Sequence, residues 1–410
     1  MAEQGTSREA LPGPLEGIKI VEYGVFHAGP GANAILADMG ADVVKIETGS
    51  GDPERFWVDV GGLSFAVPEG SLTFEASNRN KRDIYLNIET PQGREVFRRL
   101  IIGADVFLTN LRISTKRKME LDYEAIRRIN PRIIHANVNG YGPRGPMADL
   151  GAFDPLGMAR SGMLFVTGAD MPMMLHMGIL DQATAIAASH AILAALVYRE
   201  RHGKGQEVFV SLFSTGMWLT YFNLLLKTFL NIDRLPPHDR TRHPPLRNVF
   251  LCKDGKFIMG THHPEPKYWP LLCDAVGRPE LMEDPRFTTE ELRKQNAPAL
   301  VAIFDEIFAT KTRDEWMVLF QERGMMFSPV QTAAEVPDDP QAIANDYIVP
   351  FDHPRLGKVK IPGYPAHFSE CSAGTRSAAP TIGQHTDEIL REIGYDAEAI
   401  ATLRAEGIVR

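Results

Sequence analysis

The 410-residue chain is poor in cysteine. Its three, Cys252, Cys273 and Cys371, are far apart, odd in number and without a Cys-x-x-Cys pair. Neither a disulfide framework nor a cysteine-built zinc site is expected, and reduced thiols fit. Positive charge is also short, with 44 Lys and Arg against 52 Asp and Glu for a net −8. This argues against nucleic-acid binding, while a local basic pocket stays open. No long apolar run is uninterrupted: the richest, Gly178 to Tyr198, contains Asp181, Gln182 and His190 and reads as a helix buried in protein, so no membrane partner is expected. Residues 1–14 are polar, without the apolar core of a leader, and read as a flexible N-terminal arm of a cytoplasmic protein. Neither GxGxxG nor GxxxxGK[ST] is present, so neither a dinucleotide site nor a P-loop is supported.

What is present is alternation. Residues 17–23, 41–47, 83–88, 105–108, 132–136 and 207–211 read as strands, and 30–39, 91–102, 123–129 and 178–201 as helices between them. That order predicts an α/β fold, a Rossmann-like parallel sheet with ligands at the carboxyl ends of its strands. A single helix is expected over 212–230, followed by a proline-rich linker over 233–247. A smaller α+β domain over 248–335 and a return segment over 336–410 complete the reading. The large domain therefore begins at 15–232 and is finished by the C-terminus.

Asp154 precedes Pro155 where a helix should start, which places its carboxylate at the N-cap, among free backbone N–H groups and at the positive end of the helix dipole. Such an aspartate is either a cap or an activated nucleophile, and the segment alone leaves both readings open. Tyr23 to Gly31 is a glycine-bearing turn after the first strand, readable as a phosphate approach or simply as a tight turn. Two cationic runs, Asn78-Arg79-Asn80-Lys81-Arg82 and Arg112 with Lys116, Arg117 and Lys118, suit a phosphorylated ligand or a solvated loop. His262 and His263 are adjacent without partner spacing, so no metal is assigned.

The order of these motifs resembles the class III CoA-transferase family, also called the CaiB/BaiF family and including formyl-CoA transferases. The resemblance is carried by Gly40-Ala41-Asp42-Val43-Val44-Lys45-Ile46-Glu47, Asn78 to Arg82, Asn130-Pro131-Arg132, Asn139-Gly140-Tyr141-Gly142, Asp154 with Ser161-Gly162, and Gly203-Lys204-Gly205-Gln206. It implies an interlocked dimer of ring-shaped subunits, a homodimer or a heteromer with a homologous subunit. It also implies Asp154 as the nucleophile that passes CoA from an acyl-CoA such as succinyl-CoA to a carboxylic acid, with no permanently bound cofactor. The implied CoA contacts are Val25, Phe26, His27, Asn78, Arg79, Asn80, Lys81, Asn110, Leu111, Arg112, Lys118, Asn139, Gly140 and Tyr141. Backbone N–H groups of 139–142 are the expected oxyanion donors. Thr48 stands where some members carry an arginine, and the glycine-rich loop of formyl-CoA transferases is missing.

Two alternatives stand beside this reading. A 2-methylacyl-CoA racemase would need an acid/base pair, but Phe153 precedes Asp154 where racemases carry histidine. Glu265, near a racemase glutamate, reads as a solvated turn carboxylate. The other alternative is one subunit of a heteromeric transferase. Phe153, Met158, Met163, Phe165, Met171, Met173, Met174 and Met177 surround Asp154 in sequence and suggest either core or a pocket for a hydrophobic or aromatic acid.

Overall fold

Six short strands form the larger unit's main sheet: β1 (Lys19–Tyr23), β2 (Asp42–Glu47), β3 (Arg82–Tyr85), β4 (Val106–Thr109), β5 (Ile134–Asn139) and β6 (Gln206–Ser211). Their order is β6-β5-β4-β1-β2-β3 and every pairing is parallel. This is the doubly wound order, which reverses between β1 and β4 and opens a crevice at the carboxyl ends of those two strands. In this computed structural model residues 11–175, 177–237 and 239–410 are described. The chain divides at Leu235/Pro236 and again at Asn345/Asp346, the outer segments making one compact unit and residues 236–345 the other.

Helices cover both faces of the sheet, so β1 to β5 are largely buried, their polar residues included. The helices of this unit are α1 (Ala28–Asp38), α2 (Leu72–Asn78), α3 (Pro91–Ile102), α4 (Ile113–Lys118), α5 (Tyr123–Ile129), α6 (Asp154–Arg160), α7 (Ile179–His202), α8 (Leu212–Leu219) and α9 (Tyr221–Leu230). On one face Val96, Phe97, Leu100 and Ile101 of α3 pack with Val44, Ile84 and Phe107. Ile389, Leu390, Ile400 and Leu403 of the two closing helices join them, so the C-terminus completes this core. On the other face Leu36 and Ala37 of α1 meet Ala185, Ala188 and Ile192 of α7 over Ile20, Val43 and Leu108. By length and composition α7 is apolar enough to cross a membrane, yet those residues place it in a protein core. Its ends are set by Gly178 and Gly203, both left-handed at φ 62° and 72°.

The helix expected over 212–230 is in fact two. Thr220, at φ −95° and ψ 24°, separates α8 from α9, and its hydroxyl donates back to the Gly216 carbonyl at 3.0 Å, a local bond that competes with helix continuation. Of the expected N-terminal arm, residues 1–10 lie outside the described residues. Pro12 accepts the Ser372 N–H at 3.0 Å and Leu15 donates to Met39 at 2.9 Å.

The second unit has its own core. An antiparallel sheet of β7 (Arg247–Leu251), β8 (Phe257–Thr261) and β9 (Phe327–Val330) carries α10 (Glu265–Ala275), α11 (Glu290–Gln295), α12 (Ala297–Phe308) and α13 (Arg313–Glu322). Phe250, Trp269, Phe304, Phe308, Trp316 and Phe320 are its buried centre.

Candidate active site

The turn after β1 is held from below by buried charge. Lys45 Nζ donates to Glu22 Oε1 at 3.0 Å, Asp52 Oδ2 at 2.9 Å and the Gly24 carbonyl at 2.9 Å. Lys81 Nζ donates to Glu22 Oε2 at 2.8 Å, Pro30 O at 2.9 Å and Asn78 Oδ1 at 2.9 Å. Two cations thus face two carboxylates, all fully or almost fully buried. Burial works against the charge on Lys45, but Asp52 and Glu22 prevail and hold its ammonium protonated above the usual range. Burial disfavours the Glu22 anion too, and Lys81 and Lys45 overcome it and keep its carboxyl below the usual range. Asp52 Oδ1 then accepts the Phe26 N–H at 3.1 Å, fixing Phe26 in a left-handed conformation at φ 59°. From the neighbouring strand, Asn110 accepts the Val25 N–H at 3.0 Å and donates to the Val25 carbonyl at 2.5 Å.

The glycines of this turn serve packing. A Cβ on Gly24 would meet Asn110 Oδ1 at 3.0 Å, and one on Gly31 would meet Ala185 at 3.2 Å and His27 Nε2 at 3.3 Å. The turn is therefore tight because side chains close over it. A small pocket at the strand ends beside it is lined by Tyr23, Val25, Ile46, Thr48, Gly51 and Leu111, among others.

Asp154 does not cap its own helix. Phe153 is the N-cap and Asp154 the first helical residue, so the helix starts one position earlier than the sequence suggests. Its Oδ2 instead accepts the backbone N–H groups of Leu180 at 2.8 Å and Asp181 at 2.9 Å, so the carboxylate caps α7, 26 residues on. It is 6% exposed. The Asp181 side chain, in the first turn of α7, is only half-buried and makes no hydrogen bond among the described residues. Burial first, and then the charge of Asp154, push the Asp181 carboxyl up to about 7. Sequence reasoning missed Asp181 as a site residue, treating it only as an interruption of an apolar run. His27 Nε2 lies 2.7 Å from Gln182 Oε1 on the same helix, and burial keeps its imidazole below the usual range. Phe26 meets the Phe153 ring edge-on, centroids 5.1 Å apart, which brings the β1 turn to the start of α6.

A family model described as CoA-transferase family III matches residues 15–386. The chain is 37% identical to an acyl-CoA transferase of Fusarium pseudograminearum (strain CS3096), over 98% of this chain and 90% of that protein. It is 32% identical to the succinyl-CoA:glutarate CoA-transferase of Mus musculus, over 97% and 90%. A crystal structure of a CAIB/BAIF family protein from Brucella suis superposes with a TM-score of 0.79 at 30% identity, covering 93% of this chain and 100% of that one. The chain belongs to CoA-transferase family III. It is a CoA-transferase, an enzyme of acyl-CoA metabolism.

The CoA contacts that family III membership leads one to expect fall into two groups in this structure. Val25, Phe26, His27, Asn110 and Leu111 gather at the β1/β4 crevice, while Asn139 ends β5 and Gly140 and Tyr141 follow it. A Cβ on Gly140 would lie 2.4 Å from Ala152, so that turn backs onto the Asp154 segment. The Gly142 N–H is taken by Asn139 Oδ1 at 2.8 Å, while Asn139 Nδ2 is buried without a partner among the described residues. Arg112 is exposed and lies across Gly151, where a Cβ would meet its Nη2 at 2.8 Å. Lys118 is exposed, and its neighbour Lys116 turns inward onto Asn137.

The Asn78–Lys81 run is elsewhere, leading into the amino end of β3. Arg79 binds Asp38 through Nη2 at 2.6 Å, and Asn80 binds Asp38 at 2.7 Å and Gly374 O at 2.9 Å. Asn78 is buried against Lys81, whose three N–H donors are all occupied. Arg82 reaches Asp42, Glu388 and Glu392. These cations offer a phosphate little because carboxylates of the fold already satisfy them. Glu265 likewise departs from expectation: it is a buried ion-pair partner of Arg293 at 2.7 Å, within the second unit, and not a solvated turn carboxylate. Met158 and Met163 are core, whereas Met171, Met173, Met174 and Met177 are exposed.

Proposed function

We propose that the enzyme exchanges CoA between carboxylic acids through a covalent aspartyl intermediate at the head of α7, and that Asp181 is the attacking carboxylate with Asp154 holding the helix end beneath it. The observation that carries this choice is the contrast in their oxygens. Asp154 is nearly inaccessible and its Oδ2 accepts two N–H bonds, while the Asp181 side chain is more open, without a hydrogen bond among the described residues, and pushed up to about 7 by burial and the charge of Asp154. A nucleophile needs an oxygen that the thioester can reach, and a pKa near the working pH balances ionised fraction against reactivity. The second reading keeps Asp154 as nucleophile; its support is the pair of α7 N–H groups that orient its carboxylate.

In either case the bonds balance. The aspartate oxygen attacks the thioester carbonyl, the C–S bond breaks, and an acyl-aspartyl anhydride and CoA thiolate result. The thiolate attacks the aspartyl carbonyl of the anhydride, releasing the donor carboxylate and leaving an aspartyl-CoA thioester. The acceptor carboxylate attacks that thioester, and the freed thiolate then takes the acceptor's acyl carbon, restoring the aspartate. No net proton is consumed and no bound cofactor enters. Asn139 Nδ2, without a partner among the described residues at the end of β5, is our choice of donor to the developing oxyanion. Val25, Phe26, His27, Asn110 and Leu111 would seat CoA at the crevice, with Arg112 and Lys118 at its phosphates. Trapping with hydroxylamine after exposure to an acyl-CoA, followed by peptide mapping, tests the reading: the modified residue should be Asp181.

The same reading places the protein in the cytoplasm as a homodimer. Support for self-association comes from α8 and α9, where Trp218, Phe222 and Phe229 are 74%, 81% and 77% exposed and no residue of α9 is buried, a face too apolar to leave in water.

A further inference from the structure

The ring of Phe153 stands immediately before Asp154, 53% exposed, and the ring of Phe26 meets it at an interplanar angle of 89°. Phe26 also meets Trp57 edge-on, with centroids 6.1 Å apart, and Trp57 is 44% exposed. The three rings therefore form a continuous wall starting one residue from the acidic pair. The wall is stiff: Phe26 is pinned by Asp52, whose Oδ2 is held by Lys45. Between them the three side chains offer one polar atom, the indole N–H of Trp57, and no cation.

Resting on the transferase reading above, we propose that the acid exchanged by this enzyme is a hydrophobic monocarboxylic acid with an aromatic or branched tail, and that Phe153, with Phe26 and Trp57, selects it. An aromatic tail adds further edge-to-face contacts to this wall. A second carboxylate placed on it would lose water and gain no charge partner. Specificity then comes as much from rejecting dicarboxylates as from holding the tail.

The test uses the full-length enzyme and single-turnover release of the donor acid from 3-phenylpropanoyl-CoA and from succinyl-CoA. The first should react at least about tenfold faster than the second, a difference within reach of one apolar pocket. Phe153→Ala should remove most of that preference by slowing the phenylpropanoyl thioester, and Phe153→Arg should turn it toward succinyl-CoA. Because Phe153 is exposed, its variants should fold, and unchanged melting temperatures will check this. Equal or faster release from succinyl-CoA in wild type overturns the substrate inference and leaves the transferase reading standing. A preference that survives both Phe153 variants shows that selection lies elsewhere and also overturns it. Release from neither thioester overturns the transferase reading and the inference with it.

Discussion

The backbone N–H of Asp181 donates to the carboxylate of Asp154 at 2.9 Å, so two acidic side chains share one helix end, one as its cap and one in its first turn. That arrangement separates their roles by what surrounds each oxygen. It also couples them, because the charge of Asp154 is one of the two causes that raise the Asp181 carboxyl to about 7.

The first expected outcome concerns pH. With Asp181 as nucleophile the ionised form reacts, so kcat/KM should rise with pH through about 7 and then level. Asp154→Asn removes the neighbouring charge and should move this limb to lower pH, while burial keeps it above the ordinary aspartate value. A limb unmoved by Asp154→Asn, in a variant that still turns over, would contradict the coupling.

Stability should show the same group with a definite sign. A carboxyl raised in the folded state binds its proton more tightly folded than unfolded, so stability declines as pH rises from about 4 to about 7. Asp181→Asn should therefore unfold later than wild type at pH 8, by about 2 kcal/mol, with a smaller gap at pH 4. Denaturant midpoints at the two pH values measure the difference.

Lys81 and Arg112 should part company when mutated. Lys81→Ala leaves Glu22 with Lys45 and Asp52 in a buried cluster short of one cation, and should cost about 3–5 kcal/mol of stability. The double change Lys81→Met with Glu22→Gln should recover a large part of that. Arg112→Ala should leave the melting temperature in place and raise KM for acyl-CoA about fivefold, as expected for one charge-assisted phosphate contact of about 1 kcal/mol. A Lys81→Ala protein of wild-type stability would remove the structural role assigned to Lys81.

Association is tested on α9. Phe222→Asp with Phe229→Asp places charges on two of the most exposed rings of the unit, and light scattering should report a dimer for wild type and a smaller species for the variant. A wild-type monomer at micromolar concentration would rule the dimer out.

By itself, the sequence determined the alternation of strands and helices and the parallel sheet, because apolar runs and turn residues are local and periodic signals, while the family was legible only as a resemblance in the order of motifs such as Asn78 to Arg82 and Asn139 to Gly142. Val25, Phe26, His27, Asn110 and Leu111 were named together by the family resemblance, and the fold gathers them because each follows a strand whose carboxyl end faces the crevice. Charge could not be read in the same way. Arg79, Lys81 and Arg82 look like Arg112 and Lys118 in one dimension, and only folding brings Asp38, Glu22, Asp42 and Glu392 to the first three. Asp154 and Asp181, 27 positions apart, meet only because α6 ends its approach at the start of α7. Which carboxylate is buried as a cap and which is left open depends on hydrogen bonds between distant segments, and these exist only once tertiary structure has formed.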